Sequence, residues 1–187
     1  MAAALELLAQ RGQEGVTLRE ITKNAGANVA AVSYHFGSLK ALCDAAIEHA
    51  LERYLDAQIR ELDALAGSAT LSELAGAFAR PMMSALAAGG RDLAVIRTVA
   101  RVGIDPPEGW ERLAGKFEQA RRQAVRVLAA NAPEADELEL AFRVRCAAGM
   151  LSWLALAPIG AELSTEPPER VERILIPVVA GAFRGAR

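Results

Sequence analysis

The side chains with the most chemical reach are two cysteines, Cys43 and Cys146, two histidines, His35 and His49, and an unbroken hydroxyl, phenol and imidazole run, Ser33, Tyr34 and His35. Neither cysteine has a C-x-x-C partner, and the histidines do not stand at zinc-ligand spacing from them, so no metal site is expected. Cys43, His49 and Glu52 are close in sequence, but a nucleophile and a base six residues apart on one helix point to different faces. There is no phosphate-cradling glycine loop and no G-x-S-x-G elbow. Catalysis and a cofactor are therefore not expected. The Ser33, Tyr34, His35 run suits nucleic-acid contact instead, since all three side chains can donate to phosphate oxygens. Ala30 and Ala31 beside them are small enough to let a helix approach base edges.

A helix that reads DNA has to be held out from the protein, and the sequence around this run contains the parts that do so. Thr17 and Glu20 form a T-x-x-E capping box, with Val16 and Ile21 at the positions of a hydrophobic staple, so a short helix starts at residue 18. Its inner face is expected to be Leu18, Ile21 and Ala25. Gly26 can take positive φ and turn the chain sharply, Asn28 can cap a second helix over 29–36, Gly37 ends that helix, and Ser38 caps a third, much longer one. The order of capped helix, glycine turn, capped helix and Gly-Ser break is that of a helix-turn-helix unit, whose second helix enters the major groove.

The run from Gly15 to Leu42, above all Ser33, Tyr34, His35, Phe36, Gly37, Ser38 and then Ala41 and Leu42, resembles the DNA-binding domain of the TetR family of bacterial transcriptional regulators. The resemblance implies an all-helical homodimer with an N-terminal helix-turn-helix domain and a larger C-terminal domain that binds an inducer and dimerises. It implies that Val29, Ala30 and Ala31 face bases and that Thr17, Ser33, Tyr34 and His35 hold the phosphate backbone, while Phe36 packs. With the cap Asn28 and the neighbouring Lys40 these make the candidate DNA-contact set. The family usually carries Lys two residues before the Ala-Leu pair; this chain has Leu39 there and Lys40 next to it, which turns the ammonium by about 100° around the helix.

The rest of the chain fits a helical frame. Its 187 residues are enough for a buried core, and 52% hydrophobic with 5% aromatic residues, rich in Ala and Leu, is a helical composition. A formal net charge of -2 gives no general attraction to nucleic acid, so any DNA binding has to be local. Residues 1–10 read as a short apolar helix with Leu5 and Leu8 on one face. The stretch lacks a basic start, contains Glu6 and is too short to span a bilayer, so it reads as the first helix of the DNA-binding domain rather than a signal peptide. In the resembling family this helix usually begins earlier, with a basic extension that is not found here. Cysteines without a pairing pattern fit a reducing cytoplasm.

From 39 to 65 a helical pattern runs without a breaker, long enough to belong to both halves of the protein, so that tilting it would move the reading head. Further helices are expected over 70–88, from the capping box of Thr70 and Glu73, over 92–102 and over 111–130, the last with Arg121, Arg122 and Arg126 on a solvated face. Pro133 suits the first turn of the next. Residues 138–156 are apolar almost all round in their later half, and 169–183 are apolar again with a kink expected at Pro177. Two terminal helices with so much apolar surface suggest a four-helix interface between two copies, with Leu175 and Val179 taken as interface positions. Bulky side chains on the middle helices, Phe78, Met82, Met83, Leu86, Ile96, Trp110, Phe117 and Trp153, could line a cavity, with Arg97, Arg101 or Ser152 as its polar groups.

The expectation is thus an all-α protein: a three-helix DNA-binding domain over 1–46, joined by a long helix to a ligand-binding and dimerisation domain over 47–187. Its function would be transcriptional regulation, most simply repression of a palindromic operator relieved by a small hydrophobic or aromatic ligand. The alternative is a helical small-molecule-binding protein with a vestigial DNA-binding domain. The candidate ligand set is Phe78, Met82, Leu86, Ile96, Arg97, Trp110, Phe117 and Trp153, and the partners are double-stranded DNA, a small-molecule effector and a second copy, with no membrane.

Overall fold

The computed structural model describes residues 1–11, 15–65, 69–104 and 111–185. Among them are ten helices and no strand: α1 (Ala2–Arg11), α2 (Leu18–Ala25), α3 (Val29–Phe36), α4 (Leu39–Asp63), α5 (Leu71–Ala88), α6 (Gly90–Ile104), α7 (Glu111–Ala129), α8 (Glu137–Leu156), α9 (Pro158–Leu163) and α10 (Pro168–Arg184).

The head is built from α1 to α3 and the first turns of α4. The capping box at α2 is complete, with Thr17 Oγ1 accepting from the Glu20 N–H and the Glu20 carboxylate accepting from the Thr17 N–H at 3.0 Å. Gly26 takes φ 60°, ψ 30°, the left-handed conformation a side chain would resist, and so lets α2 stop and α3 leave at an angle. Asn28 Oδ1 accepts from the Ala30 N–H at 2.8 Å, and Ser38 Oγ accepts from the Ala41 N–H at 3.0 Å, starting α3 and α4. Ala4, Leu7, Val16, Ile21, Leu42, Cys43 and Ala46 form the head core. Two details differ from the sequence reading. Ala25 is exposed, and Thr22 takes the inner position on α2, its hydroxyl satisfied by the Leu18 carbonyl at 2.9 Å. On α1 the fully buried residues are Ala4 and Leu7, with Leu5 and Leu8 packed at the margin of the core.

The helix α4 takes part in every core. Its start contributes Leu42, Cys43 and Ala46 to the head; Leu51 and Leu55 join Val99 of α6 and Leu113 of α7 in a middle cluster; Leu62 belongs to the main body core. Gln58 is buried on the same helix and donates from Nε2 to the Phe78 carbonyl of α5 at 2.8 Å, which satisfies an amide that would otherwise be costly to bury. The head also rests on the body through α1 against α6.

In the body, α5 packs on α10, α6 on α8, and α7 on α4 and α8. A second complete capping box, Thr70 with Glu73, starts α5. Gly89 and Gly90, at φ 62° and 48°, make the tight turn into α6, which begins at Gly90 rather than at 92. Residues 130–135 form turns, and α8 starts later than Pro133 because Asp136 is the cap, accepting from the Glu139 N–H at 2.8 Å. The short α9, opened by Pro158 at its first turn, has no counterpart in the sequence reading. The helix α10 continues through Pro177, and α5 contains Pro81 in the same way. No described helix is long and apolar enough to cross a membrane.

Candidate nucleic-acid interface and effector cavity

The outward helix of the head is α3. None of its residues is buried: Val32 and Phe36 are half-buried against the head core, and Val29, Ala30, Ala31, Ser33, Tyr34 and His35 are exposed. The periodicity explains this, since 32 and 36 are one helical turn apart and anchor the helix while the other positions face away. Tyr34 is 87% exposed, and its ring meets that of His35 edge to face at 5.5 Å between centroids. An aromatic so fully exposed is a poor choice for stability alone and a good one for a surface that will be covered.

Hydrogen bonding sorts the remaining candidates. The Thr17 hydroxyl donates to the Glu20 carboxylate at 2.7 Å, so in this geometry its proton is not available to a phosphate. That carboxylate lies below the usual carboxylate range, held there first by the Thr17 side chain, then by the Thr17 N–H and by Arg11. Arg11 bonds it at 2.8 Å, so the cation nearest the capping box is balanced. Lys40 Nζ bonds Asp44, one turn along α4, at 2.5 Å. Asn28 uses Oδ1 for its cap and keeps its amide N–H groups as donors. Arg19 and Lys23 stand exposed on α2.

A cavity of about 430 Å³ opens in the body between α4, α5, α6, α7 and α8. This is within the range of small-molecule sites. Four of the sequence candidates line it, Phe78, Met82, Ile96 and Phe117, as does Ser152. The others go elsewhere. Leu86 and Met83 are buried in the main body core, Arg97 donates from Nε to the Ala155 carbonyl at 3.3 Å, and Arg101 is exposed. Trp110 lies outside the described residues. Trp153 is 62% exposed and points away from the cavity. The inward stripe of α8 is Leu140, Val144, Ala147, Leu151 and Ala155, which leaves 153 on the opposite face; a helix apolar all round carries no signal for which side is in.

Sequence reasoning missed Tyr54 and Gln58 of α4, Glu118 and Arg121 of α7 and Arg145 of α8, all in the cavity wall. Gln58 carried a signal, a polar residue within the Leu55, Ile59, Leu62 stripe. Arg121 did as well, standing one turn after Phe117; it is not on the solvated face with Arg122 and Arg126 but half-buried and bonded to Glu118. The Tyr54 phenol is pushed well above its ordinary value by burial. Tyr54 also lines a second, more polar groove between α1, α4, α5 and α6, so one side chain separates the body cavity from the junction of head and body. The Cys43 thiol is buried, which pushes its pKa up and makes it a poor nucleophile.

A head with an outward helix, joined by one rod to a helical body with a cavity, is the architecture of a DNA-binding regulator with a ligand-binding domain. The sequence carries the matching family signatures: residues 1–46 match the model of bacterial regulatory proteins of the tetR family, and residues 76–182 that of the tetracyclin repressor-like C-terminal domain. The chain belongs to the TetR family of transcriptional regulators. No curated protein sequence matches it. Among solved structures, its fold is similar to that of a candidate transcriptional regulator from Pseudomonas aeruginosa PAO1, with a TM-score of 0.71 and 22% identity over 99% of this chain and 88% of that one. PfmR, a TetR-family regulator from Thermus thermophilus, aligns at a TM-score of 0.65 and 18% identity over 98% of each chain. SCO3833, a TetR-family member from Streptomyces coelicolor, aligns at 0.60 and 20% identity over 100% of this chain and 90% of that one.

Proposed function

We propose that the protein is a repressor that binds a palindromic operator as a homodimer and is released when a small hydrophobic or aromatic molecule fills the body cavity, with no enzymatic step. The observation that carries this reading is α3, an exposed helix whose outward positions hold small, hydroxyl and aromatic side chains and no acid. Ala30, Ala31 and Val29 would lie against base edges, with Ser33, Tyr34 and His35 on phosphates and Lys40 and the Asn28 amide as further donors. The second copy would pack against the outer face of α8 and α10. Leu138, Phe142, Trp153, Ile174 and Val178 are exposed there. Large apolar side chains left exposed on two helices that pack on each other are the mark of an interface.

Release would work through α4. Its side chains belong to head, middle and body cores, so a ligand that shifts the wall at Tyr54 and Gln58 shifts the rod on which the head is built. The ligand needs only to prefer a state in which the two α3 helices no longer match successive major grooves, about 34 Å apart. We place the protein in the cytoplasm, where its DNA is, and take 1–46 as reading head and 47–187 as ligand-binding and dimerisation domain, with the boundary inside α4.

A selection from a random oligonucleotide pool with the purified protein, followed by titration of the winning sequence, tests the reading. A palindromic winner bound far more tightly than random DNA is expected. The tethering of Arg11 to Glu20 and of Lys40 to Asp44 favours a second reading, a ligand-binding protein with a vestigial head. A folded dimer that enriches no sequence would establish that one instead.

A further inference from the structure

We propose that the occupant of the body cavity is an apolar organic anion, a hydrophobic carboxylate that enters with its apolar end first and leaves its carboxylate at the α7–α8 mouth against Arg121 and Arg145. This rests on the reading of the cavity as the small-molecule site and goes on to assign the charge and orientation of what it holds.

The cavity has two chemically distinct ends. Its floor is made of buried apolar side chains from α5, α6 and α8, among them Phe78, Met82, Ile96 and Leu151. Water confined there is lined by few polar partners and is readily displaced by an apolar group. The α7–α8 side of the wall carries Glu118 and Arg121, both partly exposed, and Arg145, which is exposed, so this side is the mouth. Glu118 is bonded by both Arg121 Nε, at 2.7 Å, and Arg121 Nη2, and Arg122 approaches it at 3.5 Å. Its carboxylate lies below the usual range, chiefly through the Arg121 hydrogen bonds, and the field of Arg145 reaches it as well. Arg121 and Arg122 therefore pair with this one carboxylate, and Arg145 lines the same cavity. The other acid whose field reaches Arg121 is Glu137, exposed at the start of α8. Arg145 makes no hydrogen bond or ion pair among the described residues.

This arrangement discriminates between ligand charges. A cationic head would meet Arg121 and Arg145 and find the only carboxylate among the described residues of the cavity wall already committed. A neutral head would gain little from them. A carboxylate gains a charge-assisted pair with Arg145, which has no hydrogen bond or ion pair among the described residues, and shares Arg121, whose Nη1 is not used in its pair with Glu118. At 430 Å³ the cavity has the liquid volume of about 14 waters at ~30 Å³ each, which admits a bicyclic aromatic or a medium-length acyl body.

The test measures binding to the purified full chain, without DNA, by titration calorimetry. The probes are 2-naphthoate and decanoate, each compared with its primary amide and its amine. The carboxylates are expected to bind about tenfold or more tightly than the amides, and the amines weaker still. Arg145→Gln should bring carboxylate affinity down towards that of the amide while leaving amide binding unchanged. Because Arg145 is exposed and in no ion pair among the described residues, this variant is expected to fold. Glu118→Gln should tighten carboxylate binding. Equal affinity of acid and amide, a preference for the amine, an unchanged Arg145→Gln variant, or failure of all six probes to bind the folded chain would each overturn the proposal. Carboxylate binding that leaves operator affinity untouched would preserve this assignment and remove the effector reading instead, so the two fail separately.

Discussion

At the scale of single residues, what a side chain can do for DNA depends on which of its hydrogens are already spent. Thr17 and Tyr34 both carry hydroxyls, but the first is bonded to Glu20 and the second stands 87% exposed with no hydrogen-bond partner among the described residues. Tyr34→Ala should therefore weaken binding to operator and random DNA alike, by about three- to tenfold for one hydrogen bond, whereas replacing Ala30 or Ala31 should change which sequence is preferred. Fluorescence anisotropy titrations on both DNAs check this, and unchanged affinity in Tyr34→Ala would remove α3 from the docking proposed here. The capping carboxylates make a second claim. Glu20 and Glu73 both lie below the ordinary value of 4.5 because their cap threonines donate to them, with Arg11 adding to Glu20. A depressed carboxylate stabilises the fold fully above its unfolded value, and that contribution is lost as pH falls through the folded value. Denaturant midpoints measured from pH 5 down to pH 3 should decline, and the decline should be shallower in a Glu20→Gln, Glu73→Gln variant. An identical slope in both proteins would mean that the two caps do not carry the acid sensitivity.

At the scale of elements, the helix α4 couples what the other helices keep apart. Tyr54 is in the wall of both the body cavity and the groove where α1 rests on the body, which puts one ring in contact with both sides of the junction. In Tyr54→Ala, 2-naphthoate should still bind, but the ratio of operator affinities without and with it should fall towards one from a wild-type value of roughly 5- to 150-fold, while Tyr54→Phe, which keeps the ring, should retain it. A full ratio in Tyr54→Ala would show that the signal travels elsewhere. The rod itself could be read from sequence, because Ser38 marks its start and no glycine or proline interrupts it. So could the head, where each boundary is set by a local cap, Thr17 with Glu20, Gly26, Asn28 and Ser38. Local signals of that kind need no knowledge of the partner helices. Cavity residues are different. Glu118 and Arg121 line the cavity only because α7 packs on α8, and Trp153 faces outwards only because Val144, Ala147 and Leu151 take the inward stripe. The same applies to α9, where Pro158 can open a helix or end one and the packing of Leu163 decides.

At the scale of the whole molecule, the apolar surface of α8 and α10 is divided between the chain's own core and its outer face, and the division corrects the sequence reading of the interface. Leu175 and Val179, at 3% and 0% exposure, belong to the core of their own chain, where α10 packs on α5 and α8. Ile174 and Val178, at 44% and 51%, are the large apolar residues α10 leaves exposed, one helical turn apart, and α8, which packs on α10, leaves Phe142 and Trp153 exposed. A charge at Val179 would be buried without a partner and should unfold the chain rather than divide a dimer. A charge at Val178 would be buried only if a second copy covers it. Val178→Glu should thus give a folded monomer in sedimentation velocity, with the helical circular dichroism of the parent, and should lose the palindromic operator because one head alone reaches half of it. Ile174→Glu should behave alike. Folded Val178→Glu dimers would mean that another face joins the copies, and the exposed stripe would then need a different occupant. An unfolded Val178→Glu chain would mean that exposure in the single chain does not describe this residue's surroundings. The contrast with Val179→Glu, run in the same experiment, separates loss of an interface from loss of a core.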